Sequence, residues 1–163
     1  DADVIVSTGG ASVGDHDLVQ PALESLGARI EFWRVAIKPG KPLLVARRDS
    51  QIIAGLPGNP VSGFVTAFLF LLPLLRALSG AARCVSAPVP AKLAHPLPAA
   101  GERREFLRAN WEDGQVSTQS VQDSSALLSL ARCNALLARP AVDPPRAAGE
   151  TVPVFLLENG GNA

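Results

Sequence analysis

Methionine does not occur in these 163 residues, and cysteine occurs only twice. Cys84 and Cys133 lack the spacing of a metal-ligating pair, which excludes a cysteine-built zinc site. Two thiols also fall short of the disulfide framework of a small secreted fold, so they read as reduced thiols of a cytoplasmic protein. Charge bias is missing as well: 15 basic residues balance 15 acidic ones. That balance argues against a nucleic-acid partner, which usually calls for a basic excess. No signal peptide is visible. The most apolar stretch, residues 61–75, is shorter than the roughly 20 residues a bilayer crossing takes, and it contains Pro73. It reads as a buried helix, and no membrane partner is expected. There is no internal repeat. With no methionine at its start and a strand-like run already at Val4-Ile5-Val6, the chain reads as part of a longer polypeptide.

Hydrophobic residues make up 47% of the chain, enough for an ordinary core. Residues 3–7 are β-branched with little alternation, the pattern of a strand buried on both faces. A glycine loop follows. Asp17 as an N-cap, Pro21 in the first turns and Gly27 at the end then bracket a short helix. Residues 29–37 read as a strand, and residues 43–46 and 51–54 as two short strands around an Arg48-Asp49-Ser50 turn. Residues 60–78 form a long apolar helix. This is α/β organisation with a parallel or mixed sheet, over about residues 1–85. Beyond Arg83 the composition changes and prolines crowd in. Residues 104–111 and 116–121 alternate around Asp113-Gly114 as a hairpin, and residues 133–138 and 151–157 are further strands. Residues 86–163 therefore read as a small all-β domain.

Three Gly/Pro-rich loops carry the chemistry of the first half. In Thr8-Gly9-Gly10-Ala11-Ser12-Val13-Gly14-Asp15-His16-Asp17, Gly9, Gly10 and Gly14 let the backbone approach a ligand, and Ser12 adds a hydroxyl donor. Bare amides ahead of a helix suit phosphate, although the same loop also serves as a plain strand-to-helix turn. Of Asp15 and Asp17, one can cap the helix and the other can hold a magnesium ion beside bound phosphates. Lys38-Pro39-Gly40-Lys41-Pro42 stiffens a turn that carries two ammonium groups, an arrangement that an anion between them would stabilise. Gly55-Leu56-Pro57-Gly58-Asn59-Pro60-Val61-Ser62 delivers a rigid turn into a helix N-terminus, with Asn59 and Ser62 at the amides. In the second half, Arg108 shares a strand face with Phe106 and Arg104, and Ser129 lies in a serine-rich segment. By themselves these read as a surface arginine and an ordinary turn or helix serine. No nucleophile–base pair is visible.

In that order, the three loops, then Arg104-Glu105-Phe106-Leu107-Arg108-Ala109 and residues 124–137, resemble the molybdopterin molybdenumtransferase family, which includes the gephyrin E-domain. The resemblance covers nearly the whole chain. It implies a transferase that combines adenylylated molybdopterin with molybdate, using a divalent metal such as Mg²⁺, and releases AMP and molybdenum cofactor. It implies a molybdopterin-binding α/β domain followed by a β-barrel-like C-terminal domain, with two further domains upstream and a homodimer in the full-length protein. By resemblance, Gly9, Gly10, Ser12, Gly14 and Asp15 contact the pterin phosphate side, and Asp17 serves metal-dependent turnover. Lys38, Lys41 and Pro42, with Arg108 and Ser129, match a molybdate site beside Ser62. Two other readings stand next to it: the adenylyltransferase of the same pathway, and a scaffolding module of gephyrin type.

Overall fold

The computed structural model describes residues 2–9, 18–123 and 126–157. The chain divides into two compact units, one made of Asp1–Ala36 and Gly40–Cys84, the other of Ile37–Pro39 and Val85–Ala163.

In the first unit, β1 (Val4–Thr8), α1 (Val19–Ser25) and β2 (Arg29–Trp33) come first; β3 (Ile37–Lys38) departs to the other unit, and β4 (Leu44–Arg48) and β5 (Gln51–Leu56) complete the sheet. The strand order is β1-β5-β4-β2. β1 runs parallel to β5, whereas β4 is antiparallel to both β5 and β2. β1, β2 and β5 therefore point the same way. The β4–β5 connection turns at Asp49, whose φ of 53° an acid tolerates better than most side chains. A core of Ala28, Leu44, Ala46 and Ile53 lies on one face, with Leu23, Ile30 and Trp33 packed against it.

Several expectations need correction here. β1 is not buried on both faces: it is the outer strand, and Ile5 and Val6 are 42% and 44% exposed. α1 begins with Leu18 as N-cap, one residue past the expected acid; Asp17 lies outside the described residues. The expected strand over residues 29–37 is two strands in two sheets, broken at Arg34, which takes a φ of 75°.

The helix over residues 60–78 is present as α2 (Pro60–Thr66), a π-helical turn (Ala67–Leu71) and α3 (Leu72–Leu78). Pro73 has no N–H to offer the preceding turn, and the Leu72 N–H reaches five residues back to the Ala67 carbonyl. By length and composition the helix could cross a membrane, and only 28% of its most apolar window is buried, so the expectation of a buried helix is also corrected. Its first turns are the seated part, burying Val61, Ser62, Val65 and Thr66.

The second unit contains β6 (Val89–Leu93), β7 (Arg104–Glu112), β8 (Gln115–Thr118), α4 (Leu127–Ala131), β9 (Ala135–Arg139) and β10 (Thr151–Leu156). β8, β6, β10 and β9 follow β7 in sequence of pairing, and β9 returns to β7, closing a five-stranded barrel. Ala91, Leu93, Ala109, Val116, Leu137 and Val154 fill its interior. β6 went unseen in the sequence because Pro90 interrupts it. The strand survives because Pro90 faces Pro153 across the antiparallel β10 pair, so neither missing N–H breaks a shared hydrogen bond. β3 adds to the start of β7 as a short parallel pair, Ile37 beside Arg104 and Lys38 beside Glu105.

Candidate functional site

Ligands of open α/β sheets gather outside the carboxyl ends of the strands. In the first unit those ends belong to β1, β5 and β2, and the antiparallel β4 starts at the same edge. A row of partners crosses the sheet there: Ser7 beside Gly55, Gly55 beside Leu44, Leu44 beside Trp33. With neighbouring strands about 4.8 Å apart, the edge is about 14 Å long.

Two of the three loops meet on this edge. The Gly9 N–H donates to the Leu56 carbonyl at 3.0 Å, and Gly9 takes a φ of 84°. A Cβ on Gly58 would sit 3.2 Å from the Gly9 Cα, closer than such contacts ordinarily run. Bare backbone is thus a packing requirement at Gly58 and a conformational one at Gly9. From this crossing the chain enters α2. Asn59 has an extended backbone, its Oδ1 accepts from the Ser62 N–H at 3.2 Å, and Pro60 follows at the first helical position. Asn59 is thereby a helix cap, and Ser62 is buried at 7% exposure. Gly10, Ser12, Gly14, Asp15 and Asp17 lie outside the described residues. Among those described, no cluster of three His, Cys, Asp or Glu residues could hold a metal.

The lysine loop is divided. Lys41 and Pro42 lead into β4 on the sheet edge, where the Lys41 carbonyl accepts from the Val35 N–H at 3.0 Å and the Lys41 side chain is exposed. Lys38 belongs to the barrel unit, and its Nζ lies 3.3 Å from Glu105 Oε1. One cation on the edge escaped the sequence reading. Arg34 bonds through its N–H to the Leu43 carbonyl at 2.8 Å and lays its guanidinium 4.2 Å from the Trp33 ring centroid. Its signal is a break within an apparently continuous strand, which only the two separate pairings reveal. An apolar cavity of about 540 Å³ in this unit is lined by Phe32, Val45, Ile52, Phe70 and Leu74, together with Arg29 at the start of β2 and Arg47 near the end of β4.

In the barrel unit Arg108 is not a surface arginine: it is 0% exposed. Its Nε donates to Ser129 Oγ at 3.1 Å, and its Nη2 to the Val121 and Asp123 carbonyls at 3.2 and 2.9 Å. Ser129 Oγ in turn donates to the Val121 carbonyl at 2.8 Å. Gln122 closes the set by bonding both the N–H and the carbonyl of Arg108. Arg108 Nη1 is left without a partner among the described residues. Burial pulls the Arg108 guanidinium below its ordinary value, opposed by nearby Cys133 and Asp123. Burial likewise raises the Cys133 thiol, and both cysteines are free. The structure joins Arg108 and Ser129 by a hydrogen bond, within a buried set that was not visible in the pattern.

Residues 1–77 match the family described as a probable molybdopterin binding domain, and residues 90–157 match the MoeA C-terminal region, its domain IV. The chain is 41% identical to the Drosophila melanogaster molybdenum cofactor synthesis protein cinnamon over 95% of its own length and 27% of that protein's. It is 35% identical to the molybdopterin molybdenumtransferase of Haemophilus influenzae, covering 94% of this chain and 39% of that one. Among solved structures, the molybdopterin biosynthesis MoeA protein of Pyrococcus horikosii superposes with a TM-score of 0.79 at 28% identity, over 97% of this chain and 38% of that one. The chain thus spans well under half the length of these relatives. Its two units carry, in order, the two matched regions, and by these likenesses the chain belongs to the molybdopterin molybdenumtransferase family.

Proposed function

We propose that the chain serves molybdenum cofactor assembly as part of an enzyme that joins molybdate to adenylylated molybdopterin and releases AMP. The observation that carries this reading is the contact of the Gly9 and Gly58 backbones at the carboxyl edge of the parallel β1–β5 pair, with the Asn59-capped start of α2 and Lys41 on the same edge. Such an edge offers amides to phosphate groups and ammonium to an oxyanion, over a length suited to an extended substrate.

In this reading Gly9, Gly10, Ser12 and Gly14 hold the phosphate side of the substrate. Lys38, Lys41 and Pro42 hold molybdate on their shared loop, in the way that cations and fixed donors bind tetrahedral dianions. Asp15 and Asp17 are the carboxylates offered to a magnesium ion. When bound, that ion supplies Lewis-acid charge at the phosphates. Asn59 and the edge of α2 orient the phosphates, and the loop lysines keep the oxyanion close to the bond that breaks. A cytoplasmic location and a homodimeric full-length protein belong to the same proposal, checked by cell fractionation and by sedimentation.

The deciding experiment is molybdate-dependent release of AMP from adenylylated molybdopterin by the full-length protein. ATP-dependent adenylylation of free molybdopterin, without molybdate-dependent AMP release, would assign it instead to the earlier step. Lys41→Ala should weaken molybdate binding and leave nucleotide binding near wild type; unchanged molybdate affinity would remove that loop from the site.

A further inference from the structure

Glu105 is a buried acid to which neither the resemblance nor the proposed reaction gives a role. It is 7% exposed and sits near the start of β7, on the strand face that carries Leu107 and Ala109 toward the barrel core. A carboxylate withdrawn from water needs a partner. Its partner is the Lys38 ammonium at 3.3 Å, whose side chain is 53% exposed while that of Glu105 is 10% exposed. Backbone pairing imposes this meeting. Lys38 lies directly beside Glu105 in the β3–β7 register, and Arg103 Nη1 donates to the Ile37 carbonyl at 3.2 Å to hold the short strand in place. The first lysine of the loop is thus fixed at its backbone and at its charged end by the same strand.

We propose that Glu105 is a positioning residue for the oxyanion chemistry of the Lys38–Pro42 loop, holding the Lys38 ammonium in place and offsetting part of its charge. This rests on the reading of that loop as the molybdate site. A flexible lysine stem loses rotamer freedom when it grips a ligand, and a held ammonium has lost it in advance. A carboxylate beside the same ammonium also opposes an approaching dianion. A substrate that must move on gains nothing from a deep resting well, because binding that is equal in the ground and transition states does not speed the step. Glu105 keeps that well shallow.

The test uses the full chain and inorganic molybdate. Glu105→Gln keeps the shape and an acceptor oxygen but removes the charge. It should tighten molybdate binding about threefold or more at low salt, and the gain should fade at high salt. Glu105→Asp, which keeps the charge, should return affinity toward wild type. In a Lys38→Gln background the Glu105→Gln change should alter nothing, a coupling that a merely structural acid would not show. Acetylation of lysines, read peptide by peptide, gives a measurement independent of molybdate and of activity. Lys38, shielded by its carboxylate, should react about threefold faster in Glu105→Gln, with Lys41 as the unchanged internal reference. If Glu105→Gln destabilises the fold, Glu105→Asp supplies the labelling arm: it keeps the charge but sets it slightly farther from the ammonium, so Lys38 should react at a rate between that of wild type and the roughly threefold gain expected of Glu105→Gln. Molybdate binding by the wild type with affinity and Lys38 labelling both indifferent to Glu105 overturns this inference alone. A wild type that ignores molybdate overturns the proposed function, and the oxyanion role of Glu105 with it.

Discussion

The barrel unit closes on itself and the α/β unit does not. In the barrel, Ala109, Ala135, Leu136, Leu137 and Val154 are wholly buried, and β9 returns to β7 so that the ring of strands has no free side. In the α/β unit, β1 is an outer strand with Ile5 and Val6 exposed, α1 has no buried residue, and the helix over Pro60–Leu78 has no buried residue beyond its first turns. Closure satisfies backbone groups within the ring and shelters one core. The open sheet gives up that economy and in return presents strand ends, where loops can meet a ligand. Stability and chemistry are thus unevenly shared between the two units.

Each unit holds one of the two tryptophans, Trp33 in the sheet and Trp111 in the barrel, so single-tryptophan variants can follow each unfolding separately. The largest expected effect is in the barrel. Arg108→Ala removes three hydrogen bonds, to the Val121 and Asp123 carbonyls and to Ser129 Oγ, and empties a wholly buried site; it should cost about 4 kcal/mol in the Trp111 denaturation curve with little change in the Trp33 curve. Equal shifts in both would show that the units unfold together and would break the comparison.

Asp143→Asn comes next. The carboxylate of Asp143, 6% exposed, accepts from Arg139 Nε at 3.0 Å and Arg146 Nε at 3.1 Å, holding a loop in which Val142 takes a φ of 57°. Removing one member of a buried ion pair costs about 3 kcal/mol. Hydrogen bonds from Arg146 and Arg139 hold the Asp143 carboxyl below its ordinary value despite burial. A depressed folded value means that its contribution is complete above the unfolded value near 4 and disappears as pH falls through the folded one. The Trp111 transition of the wild type should therefore weaken below about pH 4, and that of Asp143→Asn should lose this component.

Changes on the sheet edge should be smaller and confined to the Trp33 curve. Gly58→Ala forces a Cβ toward the Gly9 backbone and should cost about 2 kcal/mol while disturbing phosphate binding. Asn59→Ala removes the α2 cap at about 1 kcal/mol. Lys41→Ala, an exposed position, should stay within about 0.5 kcal/mol of wild type and yet reduce molybdate affinity. A large stability loss there would mean that the lysine serves the fold and not the ligand.

Much of this was legible along the chain. The β-branched run before Gly9, the Arg48-Asp49-Ser50 turn and the Asp113-Gly114 hairpin turn, whose two residues take φ of 46° and 80°, announce themselves through local backbone preference. Pro60 after Asn59 marks the start of α2 by the same logic. The departures share one cause. The end of β2 at Arg34, the loss of β3 to the other sheet, the strand around Pro90 and the return of β9 to β7 all depend on partners far away in sequence. Among the site residues, the motif loops were found and their surroundings were not: Arg108 looks like any alternating-strand arginine until the segment after β8 covers it.

Sequence alone determined which residues could turn, cap and carry charge, because those properties reside in single side chains and their immediate neighbours. It was left to tertiary structure to decide that Gly9 meets Gly58, that Lys38 and Lys41 answer to different units, and that Glu105 faces an ammonium. Those pairings follow from strand register and burial, which set the distances between groups that the order of residues leaves free.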